Sequence, residues 1–296
     1  MNPRALPRYR LCILSTACAV FLLLLSACQT SKVPTRLPPV QSTTTLLTTQ
    51  PPTAAQLPTF QAAAPATQAP AEVTQPPAGA SGELVLDLSG TAQDQSVETI
   101  PAAPANADGP WWEAAPEHRR VTLHGYPVTG HLMQPQIFVY PAADLAGSNE
   151  AAGGMAADLQ GLLQTRQAGD RMPFLPLFNA AQAMHAQVQY LDFKNGQGVR
   201  FLTQFDQAPL PVNNYELIYT FQGLSSDGKY YIAAVLPVTH AELPAAPQAS
   251  EQQAAELNDF PAYLAKTVTW LDGQPGGSFT PDLAALDALI QSMEVK

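Results

Sequence analysis

Cys28 is the residue whose chemistry is plainest. It closes the run Leu25-Ser26-Ala27-Cys28, after an apolar stretch that follows Arg4, Arg8 and Arg10. A basic start, a short apolar run and small residues before a cysteine make up a bacterial lipoprotein signal, in which a peptidase cuts before the cysteine and the thiol takes the lipid. The apolar run from Leu11 to Leu25 is about 15 residues, short of the roughly 20 that a spanning helix needs, so cleavage is expected rather than an uncleaved anchor. Stable attachment then requires more than one acyl chain, of the palmitate kind, since a single chain holds a membrane only marginally. Gln29 rather than an aspartate follows Cys28. The expected address is therefore the outer face of the cell membrane or, in a two-membrane cell, the outer membrane.

The other chemically capable side chains form no motif. The pair Trp111-Trp112 reads either as a plug at the core or its rim, or as a stacking platform for a sugar or aromatic ligand. Tyr215, Tyr219, Tyr230 and Tyr231 fall on expected strands and offer an aromatic set for a protein, peptide or glycan. His118, His124, His131, His185 and His240 lack metal-site spacing, although His124 and His131 could meet on neighbouring strands. No serine sits in a G-x-S-x-G turn, and Ser225-Ser226 falls at a hairpin. The carboxylates Asp192, Asp206, Glu216 and Asp227 are spread over different strands. No catalytic residue, cofactor or metal site is expected from these patterns.

The segments that must carry these residues differ sharply in composition. Residues 1–27 are the signal peptide. From 28 to 81 the chain is Pro, Thr, Ala and Gln with pairs such as Pro38-Pro39, Pro51-Pro52 and Pro76-Pro77. Such a segment cannot bury enough apolar surface to offset ordering, so a disordered, lipid-anchored tether is expected: a plain spacer, a glycosylated, mucin-like stalk, or a segment that crosses a cell-wall layer. Residues 82–110 read as an edge strand, Leu84 to Leu88, and a second linker, Pro101 to Pro110. The globular body then spans 111–296.

Cys12 and Cys18 leave with the signal, so the mature chain has no cysteine pair for a disulfide. Without Arg4, Arg8 and Arg10, the 14 basic residues fall to 11 against 24 acidic ones, a net charge of −13. An acidic surface of this kind repels nucleic acid, which is excluded as a partner; the lipid anchor, not surface charge, makes the membrane contact.

Within the body, Val121 to Tyr126 and Gln136 to Pro141 read as strands, and Leu159, Leu162 and Leu163 define a helix starting after Asn149 and ending before Gly169. Ala180 to Met184 is expected to add a helical turn. Val188 to Phe193 and Val199 to Phe205 alternate around Asn195-Gly196, a pair suited to a tight hairpin. Tyr215 to Phe221 and Tyr230 to Pro237 repeat the arrangement around Asp227-Gly228. Glu251 to Leu271 is helical with a break at Pro261. Pro281 to Met293 closes the chain as an amphipathic helix capped by Thr280. The result is an α+β pattern, a curved antiparallel sheet with a four-strand meander packed by helices.

The meander with Gly198-Val199-Arg200-Phe201 and Asp227-Gly228-Lys229-Tyr230-Tyr231, then an acidic helix and the ending from Leu286 to Met293, resembles the PsbP-like α-β-α sandwich of small exported, lipid-anchored bacterial proteins. The chain is also similar to uncharacterised bacterial lipoproteins with a Pro/Thr-rich stalk. The likeness covers about 180 residues and lies in element order, so it implies a binding or assembly module without naming a ligand. Two expectations follow: a lipid-tethered binding or scaffolding module of the cell envelope, holding a protein, peptide or glycan, or an exported hydrolase whose site forms only in three dimensions.

Overall fold

The computed structural model describes residues 82–106 and 109–296; Cys28 and the expected signal and tether lie outside them. β1, Leu84–Val85, precedes β2, Asp94–Ile100, and β3, His118–His124. β4, Gln136–Pro141, runs straight into α1, Ala142–Ser148, and α2, Glu150–Thr165. β5, Ala181–Phe193, β6, Gly196–Asp206, β7, Ile218–Ser225, and β8, Tyr230–Pro237, follow in turn. β9, Thr239–His240, α3, Glu251–Glu256, and α4, Phe260–Asp272, come next. β10, Phe279–Thr280, α5, Leu283–Ser292, and β11, Glu294–Val295, end the chain.

The fold is α+β. Seven strands form one antiparallel sheet in the order β2-β3-β4-β8-β7-β6-β5, so the meander from β5 to β8 is continuous. β8 lies inside the sheet and is buried on both faces, which explains its unbroken apolar run from Tyr230 to Leu236. Alternate residues feed two cores. Ile232, Ala234 and Leu236 join Leu283, Leu286 and Leu289 of α5 on one face. Tyr231, Ala233 and Val235 join Leu145 of α1 and Leu159 and Leu162 of α2 on the other.

Local differences from the sequence reading have physical causes. Ala181–Met184 is not a helical turn but the start of β5, where bulges between Gln182 and Met184 and between Ala186 and Gln189 break the alternation that would have marked it. The β5–β6 hairpin pairs Phe193 with Gly196, so Lys194 and Asn195 occupy the turn and Gly196 lacks a positive φ. The hairpin after β7 keeps Gly228 at φ +71°. Thr280 belongs to β10, and Asp282 instead caps α5 by accepting the Ala284 N–H at 2.8 Å. Tyr215 lies in the turn before β7 rather than on the strand. The sequence reading has no element over Asp94–Ile100, yet β2 pairs with β3 along all seven residues; its mixture of Asp, Gln, Ser, Glu and Thr suits an edge with one covered face. The pairing of β1 with β11 ties the first described residues to the last, and the Gly82 N–H donates to the Lys296 carbonyl at 2.7 Å.

Candidate functional site

Two buried polar networks hold the sheet to its coverings. On the face under α5, Arg200 of β6 is only 5% exposed and its guanidinium meets Asp287 at 3.0 Å. The Tyr219 hydroxyl donates to the same Asp287 oxygen at 2.8 Å, while Arg200 also donates to the Gln187 carbonyl and to Gln189 Oε1. Burial, with Asp287 beside it, holds the Tyr219 phenol well above its ordinary range. On the opposite face, Gln222 Oε1 accepts from the Leu175 N–H and the Tyr231 hydroxyl, and its Nε2 donates to the Leu175 carbonyl and Thr220 Oγ1. A buried amide so fully engaged pins the loop from Arg166 to Ala180 against the sheet.

That loop builds a place where aromatic and polar groups converge at the surface. Gln182 clamps both the N–H and the carbonyl of Met172. Phe174, Phe178 and Phe205 then pack with ring centroids 4.6 to 5.4 Å apart. Across from them Trp111 stands on a single 3-10 turn and is 54% exposed. Asn149 positions it: its Oδ1 caps α2 by accepting from Ala151 and Ala152, while its Nδ2 donates to the Trp111 carbonyl at 2.7 Å. Arg171, Phe178, Asn179, Asp206 and Gln207 join Trp111 around an open basin of about 580 Å³. An adjoining, more apolar cleft of about 320 Å³ shares Trp111, Arg171 and Phe178 and reaches Met155, Met172 and Leu177.

At the floor of the basin, Asp206 is 8% exposed and takes two hydrogen bonds from the Gln204 amide, at 3.1 and 3.0 Å. Burial pushes its carboxyl up to about 6, Gln204 acting against that and Glu216 reinforcing it. Behind it Asn213 Nδ2 donates to Glu216 at 2.7 Å and to the Pro211 carbonyl at 2.9 Å.

The residues singled out from sequence do not gather. Trp111 lies on the basin; Trp112 packs edge-on against it at 5.9 Å. Of the four tyrosines only Tyr215 is exposed, at 36%; Tyr219 and Tyr231 are fully buried on opposite faces and Tyr230 is 8% exposed, so they form no common contact surface. His124 and His131 do not meet. His124 pairs with Ser96 Oγ at 2.9 Å, whereas His131 Nε2 donates to the Leu217 carbonyl and its Nδ1 accepts the Met133 N–H. Burial lowers the pKa of His118, His131 and His185.

Asp227 is the acceptor of a β-turn, held down to about 2 by the Ser225 hydroxyl and the Lys229 N–H. Among the described residues no group of three His, Cys, Asp or Glu side chains could hold a metal ion, and no helix is long and apolar enough to cross a membrane.

Besides His124 and Ser96, a second pair has the composition of a hydrolytic dyad, the more buried His240 with Ser278, at 3.0 Å. Its wiring is wrong for that role. His240 Nδ1 accepts the Glu242 N–H, which leaves the proton on Nε2 to donate to Ser278, and the Ser278 hydroxyl is spent on the Pro275 carbonyl at 2.7 Å.

Sequence reasoning missed Arg171, Asn179 and Gln207. Each stands alone in a link or at a strand end, and only the loop anchored by Gln222 brings them beside Trp111. No protein-family model matches the chain, and neither a curated protein nor a solved structure does.

Proposed function

We propose that the protein is a lipid-tethered extracytoplasmic binding module, anchored through Cys28 to the outer face of a cell membrane or to the outer membrane, with the basin around Trp111 as its contact site. On this reading residues 28–81 are the tether and the domain is a PsbP-like α-β-α sandwich serving as a scaffold of the cell envelope. The observation that carries the reading is Trp111 itself. A tryptophan left half in water, yet fixed through its backbone by Asn149, presents a rigid apolar face beside exposed hydrogen-bonding groups. Arg200, Gln222 and Ser278, by contrast, are committed to the fold, to Asp287, Leu175 and Pro275 in turn.

Two measurements test it. Labelling cells with a palmitate analogue should mark the wild type and leave Cys28→Ser unmarked; equal labelling overturns the anchor. A photoreactive residue at position 111 of the anchored protein should yield discrete adducts that the same residue at Val97, 47% exposed on β2, does not. Identical adduct patterns at the two positions remove the basin as the contact site.

A further inference from the structure

We infer that the basin takes a neutral pyranose oligosaccharide, an assignment that rests on the binding-module reading and gives it a ligand class. Trp111 supplies a flat apolar face, and the pyranose ring with equatorial hydroxyls is a ligand whose axial C–H bonds form a matching flat face. The polar groups around it are of mixed kind. Arg171 only donates, the Asp206 carboxylate only accepts, and the amides of Asn179 and Gln207 do both. A ring of hydroxyls, each both donor and acceptor, satisfies such a set without bringing charge.

Charge then selects against acidic sugars. Arg171 has no acidic partner at ion-pair distance among the described residues. It is nevertheless outnumbered, by Asp206 in the basin and by Asp158 in the adjoining cleft. The whole chain is acidic, with a net charge of −10, so a polyanion is repelled before it arrives. The basin is open and lies across the ends of β5 and β6, where Ala181 and Asp206 pair, so a chain of sugars can rest over it without threading a tunnel.

The test uses the full mature protein, lipidated and held in a detergent without a sugar headgroup. Titration calorimetry with cellohexaose, chitohexaose and maltohexaose should give saturable binding of at least one. A hexagalacturonate of the same length should bind at least about tenfold more weakly, a gap of 1.4 kcal/mol or more. Trp111→Ala, at a half-exposed position, should weaken the neutral ligand at least about tenfold while leaving the melting temperature in place, and Trp111→Phe should restore part of the loss. Asn179→Ala, which keeps the Gln207 Nε2 bond to the residue 179 carbonyl, should weaken binding without touching the stacking face. Absence of binding by all three neutral probes, acidic binding as tight as neutral, or indifference to Trp111→Ala overturns the assignment. If no oligosaccharide binds but the photoreactive residue at position 111 captures a polypeptide, the binding module stands and its ligand is a peptide; loss of both results removes the module as well.

Discussion

Asp206 is a carboxyl group whose ionisation opposes the fold. Its folded pKa is raised to about 6 from the ordinary 3.8, so the protonated form suits the structure and the ionised form does not. The contribution is therefore favourable below pH 3.8 and is lost as pH rises through about 6. Asp206→Asn mimics the neutral state and keeps an acceptor for Gln204. It should stabilise by on the order of 2 kcal/mol at pH 8 and by almost nothing at pH 3.5, as thermal melts across that range would show. A constant increment at every pH would mean that the carboxyl is better solvated than its burial implies. His118, His131 and His185 act in the opposite direction: their folded pKa values lie below 6.5, so the unfolded chain takes protons first and stability falls as pH drops below that value.

Two glycines also separate cleanly. Gly228 sits at φ +71° with open space where a Cβ would be, so Gly228→Val costs only backbone strain, about 1 to 3 kcal/mol. Gly196 has ordinary φ, but a Cβ there would run into the Phe193 ring and the Leu224 carbonyl. Gly196→Val should therefore cost a comparable amount through overpacking, and Gly196→Ala should hurt as well. Denaturant midpoints that leave Gly196→Ala at wild-type stability would sink the steric account.

At the scale of elements, α5 depends on two different interactions. Leu289 is 2% exposed under the sheet, and Leu289→Ala should cost 2 to 5 kcal/mol, on the order of other buried leucine deletions. Asp287 is a different matter. Removing its charge strands Arg200, so Asp287→Asn should cost on the order of 3 kcal/mol although no cavity forms, and the triple change Asp287→Leu, Arg200→Met and Tyr219→Phe, which leaves neither charge nor phenol stranded, should recover much of that. A triple variant no more stable than the single one would show that the pair contributes more than compensation.

These elements were also the legible part of the chain. α2 and the closing helix stand out in sequence because their apolar residues keep one period, and the β7–β8 hairpin because Asp227-Gly228 separates two apolar runs. β2 was hidden by its polar edge composition, and the start of β5 by its bulges. The Asn195-Gly196 pair pointed to the right hairpin but to the wrong turn residues, since Gly196 is a glycine for closeness to Phe193 rather than for backbone freedom. The site was legible at Trp111 and, as one of several scattered carboxylates, at Asp206. The tyrosines that seemed available for contact are the ones the sheet consumes, and nothing in a one-dimensional pattern says that Gln222 will carry the loop that brings Arg171 and Asn179 to Trp111.

At the scale of the molecule, the two ends of the described chain are closed on each other, and this decides where a protease can cut. β1 pairs with β11, the Gly82 N–H reaches the Lys296 carbonyl, and the Lys296 N–H returns to the Glu83 carbonyl at 2.9 Å. β2 adds seven paired residues at the sheet edge before Trp111. Paired backbone resists proteolysis, and on the proposed reading residues 28–81 form a tether. If that reading holds, limited digestion should leave a resistant fragment whose N-terminus lies near Gly82 and whose C-terminus is intact. Cleavage within Pro101–Pro110 should come later and leave the two pieces associated, because β2 stays hydrogen-bonded to β3. If mass spectrometry instead finds an early fragment beginning near Trp111 with residues 82–100 released, the β2 edge is dispensable and the sheet is effectively six-stranded.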